Sequence, residues 1–408
     1  MKTYIKRDIE SRIKKYINAF PAVSLTGPRQ CGKTTVLREV LGKEYAYVSL
    51  DDTRQRAMAI NDPALFVKKL PEKVIIDELQ YAPAVMSYIK IEIDNARYDE
   101  REIKGRFVIT GSQNFLLMKS FTESLAGRVG ILHMNTLSSG ELAVFTGADS
   151  TRLLFEFACT RGTYPEPVLD KTMDIPGWYE SYLTTYIDRD VRSLYNVGNL
   201  ETYDKFIRIL ASRPGQLLNM AAVSNDCGVS ASTIKKWLSI LEASGIIFYL
   251  HPYHANVRTR LVKTPKIYFY DTGLVCRVNN IRTENDIYSH AMAGQIFENY
   301  CVSEAKKKLL NTSFYKSNMH FYRADKGPEI DLLVEEKGKF HLFEFKSGIN
   351  VGSESAKNIE LVIAKNKKVA WSTAHVVTLG DGAQMSHITQ NVKITGLIGM
   401  LEILKGIE

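Results

Sequence analysis

The sequence predicts an α/β protein of more than one domain, and three observations carry that reading. Short apolar runs of strand length end in glycine-rich or acidic turns, at Gly27, at Asp77-Glu78 and at Gly111. Stretches with helical spacing of apolar residues lie between them, such as Val36, Leu37 and Val40. That alternation is the pattern of a parallel sheet with helices on both faces. Finally, 408 residues exceed what one ordinary core holds, so two or three domains are expected.

Composition narrows the class. Hydrophobic residues make up 45% and charged residues 24%, the balance of a soluble globular chain. No apolar run reaches the roughly 18 residues needed to cross a bilayer. Residues 1–15 are studded with Lys and Arg and lack a continuous apolar stretch, so neither a secretory signal nor a membrane association is expected. Five scattered cysteines without a C-x-x-C pair argue against structural zinc or a disulfide framework and fit a reducing cytoplasm. A net charge of +8 permits a polyanionic partner such as DNA, and equally permits a mildly basic enzyme without one.

The first strand signal, Ala22 to Leu25, runs into Gly27-Pro28-Arg29-Gln30-Cys31-Gly32-Lys33-Thr34-Thr35 and then into a helix. Strand, glycine loop and helix in that order form a phosphate-binding loop. The glycines let the backbone wrap close to phosphates, and successive N–H groups face the anion. Lys33 supplies a charge near the β- and γ-phosphates of ATP, and the Thr34 hydroxyl is placed to ligate Mg2+. A second buried strand, Lys73 to Ile76, ends in Asp77-Glu78, at the strand end where α/β sheets bind ligands. Asp77 is expected to hold Mg2+ through water and Glu78 to polarise the attacking water. Arg106 to Thr110 is a third strand, ending in Gly111-Ser112-Gln113-Asn114. Ser112 is the preferred residue here for contact with the γ-phosphate or its water, ahead of Gln113 and Asn114, and helix capping is the competing role. Arg128 precedes the strand Val129 to Met134. It is read either as a finger for a neighbouring subunit's nucleotide, which requires a homo-oligomer, or as a surface arginine closing a turn. Asp52 is expected to cap the helix beginning near Thr53.

These motifs, in this order, resemble a large prokaryotic family of AAA-type ATPases joined to a C-terminal domain of unknown function 4143. The resemblance continues through Tyr164-Pro165-Glu166-Pro167, Tyr186 to Val191, Ala211 to Asn219 and Tyr270-Asp271-Thr272-Gly273-Leu274. It covers about residues 5–350. The family usually has a second glycine before the aromatic–proline pair, where this chain reads Arg161-Gly162-Thr163-Tyr164. The resemblance speaks more to architecture than to biology.

Further along, Trp178 to Val191 and Tyr203 to Ser212 have helical periodicity and are expected to form a small lid. Asn219 to Ser224, a turn at Gly228, the helical run Ser232 to Leu241 and the apolar strand Gly245 to Leu250 outline a winged helix-turn-helix. Thr233, Lys235 and Lys236 would face DNA, with Arg258, Arg260 and Lys263 on a basic wing. A scaffold without DNA contact is the alternative. In the last segment, Glu329-Ile330-Asp331 and then Glu344-Phe345-Lys346 on the next hairpin strand outline a PD-(D/E)-x-K nuclease. Alternation puts Glu344 and Lys346 on one face. Asp331 and Glu344, with Glu298 from the preceding helix, would bind Mg2+ or Mn2+, and Lys346 would orient water. A binding module without cleavage is the alternative.

The expected architecture is therefore an AAA-type core over 1–145, a helical lid over 146–212, a winged helix-turn-helix over 213–284 and a restriction-endonuclease-like α/β domain over 285–408. The leading expectation is an oligomeric, ATP-hydrolysing enzyme that processes branched or single-stranded DNA. A nucleotide switch controlling a protein partner is the alternative.

Overall fold

Alternation inside the apolar runs builds the first sheet. β1 (Ala22–Gly27), β2 (Ala46–Ser49), β3 (Val74–Asp77), β4 (Phe107–Ser112) and β5 (Val129–His133) pair in the order β2-β3-β4-β1-β5, all parallel. Val23, Leu25, Ile75 and Val108 face one layer, with Ile9, Ile13, Val36 and Leu37. Ala22, Val74, Ile76, Phe107 and Ile109 face the other, with Val85, Met86, Ile89 and Ile93. Both faces are covered, which is why these strands read as unbroken apolar runs. β1 sits between β4 and β5, so the chain changes direction across the sheet beside it. Ligand crevices open at the carboxyl ends of strands at such a point. Asp52 caps the helix Thr53–Asn61, its Oδ1 accepting from the Arg54 and Gln55 amides at 2.7 and 3.3 Å.

This computed structural model describes residues 4–112, 125, 127–186, 200–254, 263–311, 318–324, 327–367, 369–380 and 386–407. The chain forms two compact units: residues 1–136 with 243–245, and residues 137–242 with 246–408. Among the described residues, no helix is long and apolar enough to cross a membrane.

The second unit is one body where the sequence predicted three segments. Its sheet holds β6 (Ile247–Pro252), β7 (Lys266–Phe269), β8 (Met319–Arg323), β9 (Glu329–Glu336), β10 (Lys339–Lys346), β11 (Ala370–Thr378), β12 (Ser386–His387) and β13 (Lys393–Thr395). They run β12-β13-β11-β10-β9-β8-β6-β7. This sheet takes strands from both sides of residue 284, with β6 pairing in parallel with β8 through His251–His320 and Pro252–Phe321. The expected lid is also part of this body. Its helix Thr151–Thr160 packs Phe155 against Phe297 and Tyr300 of the helix Ala293–Asn311, with ring centroids 5.3 Å apart in both pairs. An amphipathic helix has to bury its apolar face, and periodicity alone does not name the surface that receives it.

The Tyr270-to-Leu274 motif has a structural role. Asp271 caps the helix Thr272–Val278 through the Leu274 amide (2.6 Å). It also accepts from the Thr163 amide, the Thr163 hydroxyl and the Tyr179 hydroxyl, each at 2.7 Å. Gly162 closes this knot at φ +80°, where a Cβ would collide with the Tyr179 hydroxyl.

Candidate functional site

The phosphate loop leaves β1 at Gly27, whose φ of +155° and approach to the Met134 carbonyl leave no room for a side chain. Gln30 and Gly32 also take positive φ. The turn delivers the chain into the helix Lys33–Leu41, so the loop ends on free helical N–H groups. Lys33 is buried, and its ammonium donates to the Gly27 and Pro28 carbonyls at 3.0 and 2.8 Å. That is a positive charge held inside an amide-lined cradle, which fits a polyphosphate.

Asp77, at the end of β3, is also buried. The Thr34 hydroxyl donates to its Oδ2 at 2.9 Å and the Tyr47 hydroxyl to the same oxygen at 2.5 Å. The Thr110 hydroxyl donates to Oδ1. Burial and the bond to Asp77 push the Tyr47 hydroxyl up to about 12, so it stays a donor at neutral pH. Asp77 thus sits within a shell of neutral donors, one of them the hydroxyl expected to ligate Mg2+. These residues fit a magnesium–nucleotide pair. Glu78 follows in the left-handed region, φ 57° and ψ 42°, and accepts from the Gln80 side-chain amide. A non-glycine residue costs roughly 1–2 kcal/mol there, and such strain concentrates where function holds it.

The two other sequence candidates of this unit lie at opposite edges of its sheet. Ser112 pairs with Gly27 across β4 and β1, so its backbone stands beside the loop. The side chain of Ser112 is outside the described residues, as are Gln113 and Asn114. Arg128 lies at the amino edge, its carbonyl accepting from the Ala22 amide at 3.3 Å. β1 runs its full length between that point and the loop, so Arg128 does not serve the phosphates of its own chain. Its Nε donates to Asp94 at 2.6 Å, and this bond holds the Asp94 carboxyl below the usual range.

In the second unit, the helices Met220–Cys227 and Ala231–Ala243 flank a left-handed Gly228. Ile234, Trp237, Leu238, Ile240 and Leu241 of the second helix are buried, while Lys235 and Lys236 are exposed and Thr233 is half-buried. The Thr233 hydroxyl hydrogen-bonds with that of Ser230 at 2.9 Å. Arg258 and Arg260 of the expected wing lie outside the described residues.

The strand residues singled out near the C-terminus do come together. The last pair of the β9–β10 ladder is Phe343–Leu332, and the next residues along the two strands are Glu344 and Asp331. The Phe345 amide donates to Asp331 at 3.0 Å, and the Lys346 ammonium donates to Glu344 Oε1 at 2.9 Å. Among the described residues, the buried Glu344 Oε2 has no hydrogen-bond partner. Burial, then the Asp331 charge, pushes Glu344 up to about 8 and Glu298 up to about 7. Asp331 is raised as well, chiefly by burial. Sequence reading did not anticipate Lys266, on β7. It is 4% exposed. Its ammonium lies 3.1 Å from Glu298 Oε1, 2.8 Å from Glu329 Oε1 and 4.0 Å from Asp331 Oδ1. Burial opposes that charge, but the carboxylates outweigh it and hold the lysine above its ordinary range. The Tyr268 hydroxyl also donates to Glu298, at 2.6 Å. Among the described residues, no three His, Cys, Asp or Glu side chains are arranged to hold a metal ion. At the three expected ligands, the Lys266 ammonium stands against Glu298 and Asp331, and that of Lys346 against Glu344.

With the loop, the sheet order and the Thr34–Asp77 contact in place, comparison with known families is direct. Residues 19–143 match the AAA domain. This AAA domain is followed by two further matches, a domain of unknown function 8612 over residues 152–285 and the domain of unknown function 4143 over residues 293–397. Two uncharacterised proteins, of Mycobacterium tuberculosis and Mycobacterium bovis, are each 29% identical over 343 residues, 84% of this chain and 74% of theirs. Among solved structures, a Walker-type ATPase of Pyrococcus abyssi has a TM-score of 0.43 at 14% identity, covering 68% of this chain and 96% of its own. Cdc6p of Pyrobaculum aerophilum has a TM-score of 0.28 at 13% identity, covering 69% and 97%.

Three residues of the first unit escaped the sequence reading. Tyr47 and Thr110 lie on strands whose carboxyl ends flank Asp77, a signal available once those ends are listed as ligand positions. Arg7 sits in the basic N-terminal segment, where it is buried and donates to the Cys31 and Asn135 carbonyls at 2.8 Å each. It ties the phosphate loop to the chain beyond β5, and no local sequence signal marks it.

Proposed function

We propose that this protein is an ATP-hydrolysing, DNA-binding protein that self-associates and acts on branched or single-stranded DNA. The observation that carries the ATPase part is the Thr34–Asp77 contact beside a strained Glu78. It assembles the metal-holding pair and a carboxylate for the attacking water at one strand end. Mg2+, when bound, would be held by Thr34 and Asp77 and would neutralise charge on the β- and γ-phosphates. Lys33 would leave the Gly27 and Pro28 carbonyls for the phosphate oxygens. Loop amides would orient the nucleotide, and Glu78 would draw a proton from water. Arg128 would act only between subunits, after leaving Asp94, because it stands at the far edge of its own sheet.

The DNA reading rests on exposed Lys235 and Lys236 at a helix-turn-helix, supported by the net charge of +8. The test is ATP hydrolysis by wild type and Glu78→Gln with single-stranded, duplex, forked and four-way DNA. We expect hydrolysis that needs Glu78 and rises with one of these DNAs. Hydrolysis indifferent to every DNA, with no binding at low salt, would overturn the DNA reading.

One feature favours a nucleotide switch as the second reading. The hairpin strands of the helix-turn-helix are built into the eight-stranded sheet, which is how a scaffold is made. A nucleotide-dependent change in mass without any DNA effect is the outcome that supports it.

A further inference from the structure

We infer that Lys266 is the resident cation of the Glu298–Glu329–Asp331 cluster, so that the second unit neither takes a divalent metal there nor cuts phosphodiester bonds through it. The inference is independent of whether the protein binds DNA.

The argument starts from charge. Three carboxylates from two elements, the helix Ala293–Asn311 and β9, converge on one ammonium that is almost wholly buried. Burying carboxylates without a counter-charge is unfavourable, and either a metal or a fixed ammonium supplies it. Here the ammonium belongs to β7, the outer strand of the hairpin that follows the helix-turn-helix. Its stem is fixed. Segment 215–218 pairs along β7, with Gly215 N donating to the Ile267 carbonyl (2.8 Å), Leu218 N to that of Pro265 (2.9 Å), and a bridge from Leu217 to Lys266. Gly215, at φ +72°, comes so near that a Cβ there would lie 3.1 Å from Glu298 Oε1. The carboxylate is therefore covered by backbone as well as by the lysine. The remaining member of the nuclease-like set, Glu344, already holds Lys346 on Oε1.

A divalent ion arriving at this cluster would meet a positive charge fixed where it must sit. It would have to expel the lysine from the three carboxylates that hold it. The ammonium also joins β7 to β9 and to the helix Ala293–Asn311. The cluster thus works as a metal-free lock that holds the helix-turn-helix hairpin onto the nuclease-like strands.

Removing that lysine should restore a metal site. The experiment is Mn2+ binding by electron paramagnetic resonance on the nucleotide-free full-length protein, comparing wild type, Asp331→Asn, Lys266→Met and the Lys266→Met/Asp331→Asn double variant. Wild type and Asp331→Asn are expected to bind the same small amount. Lys266→Met is expected to gain one equivalent of Mn2+, which the double variant loses. An Mn2+ equivalent in wild type that Asp331→Asn removes would overturn the inference, as would a folded Lys266→Met that gains none. Should Lys266→Met not fold, the wild-type and Asp331→Asn comparison still decides, together with Mn2+-dependent nicking of single-stranded and forked DNA. Nicking lost in Asp331→Asn overturns the inference, and its absence supports it.

Discussion

Both units place a carboxylate at the end of a strand, and they treat it in opposite ways. Asp77 accepts hydrogen bonds from Thr34, Tyr47 and Thr110, all of them neutral hydroxyls. Those donors position the carboxyl group and bring no charge of their own. Glu298, Glu329 and Asp331 face the ammonium of Lys266, and Glu344 faces that of Lys346. A lysine ammonium of the protein itself stands against each of them. Two acidic sites at strand ends therefore differ in what they are prepared to bind. The difference lies in one residue type among their neighbours.

The sharpest way to break this comparison is at Glu78. Glu78→Gln should lower the rate of ATP hydrolysis by roughly 10²–10⁴-fold, the usual range for removing a general base, while nucleotide binding is retained. Single-turnover hydrolysis and equilibrium binding of a fluorescent nucleotide measure the two separately. Equal loss in both would mean that Glu78 serves the loop's structure.

Removing one partner of a buried ion pair is the next largest effect, about 3–5 kcal/mol. Lys266→Met should destabilise the second unit by that order, since three carboxylates lose their counter-charge. All three tryptophans, Trp178, Trp237 and Trp371, belong to the second unit, so intrinsic fluorescence in urea reads it selectively. Lys235→Ala, on an exposed helix face, should leave that transition unmoved. A loss below about 1 kcal/mol for Lys266→Met would show that the ammonium is not the lock described here, because that is the worth of an ordinary exposed pair.

Stability should also depend on pH, in the second unit especially. Glu344 has an ordinary value of 4.5 and a folded value of about 8, raised by burial and by Asp331. The folded state then binds more protons than the unfolded one between those values. The stability this group contributes is complete below about pH 4.5 and drains away as pH rises through about 8. Glu298, raised to about 7, acts in the same direction. The urea midpoint by tryptophan fluorescence should fall between pH 6 and 9 in wild type, and fall less in Glu344→Gln. A flat wild-type profile would contradict the burial of that carboxyl.

The smallest effect is expected at Tyr47. Tyr47→Phe removes one of three donors to Asp77, worth about 1 kcal/mol. A modest rise in the Mg2+ concentration needed for half-maximal hydrolysis is expected, with little change in the maximal rate. An effect as large as that of Glu78→Gln would place Tyr47 in the chemistry itself.

How much of this was legible in the sequence follows from the range of each signal. The phosphate loop spans nine consecutive residues, and its chemistry depends on glycines whose φ values are a local property. Asp77 and Glu78 follow a run of three apolar residues, and strand ends are likewise local. The β9–β10 hairpin was equally readable, because period-two alternation and a short turn bring Asp331 level with Glu344. The helix Thr151–Thr160 was readable as a helix but not as part of the second unit. That placement rests on Phe155 meeting Phe297 and Tyr300, about 140 positions along the chain.

By itself, then, the sequence determined the parallel sheet, the phosphate loop with its Asp-Glu partner, the two helices around Gly228 and the acid-bearing hairpin. Each is written in a short window through glycine torsions, apolar periodicity or strand alternation. Only the tertiary structure decided which charges meet. It brought Arg7 onto the Cys31 carbonyl, Tyr47 and Thr110 onto Asp77, and Lys266 into the midst of Glu298, Glu329 and Asp331. A lysine between Pro265 and Ile267 looks like any other surface lysine. Its meaning arises from burial and from carboxylates at least 32 residues away, and a Coulomb interaction depends on distance in space, not along the chain.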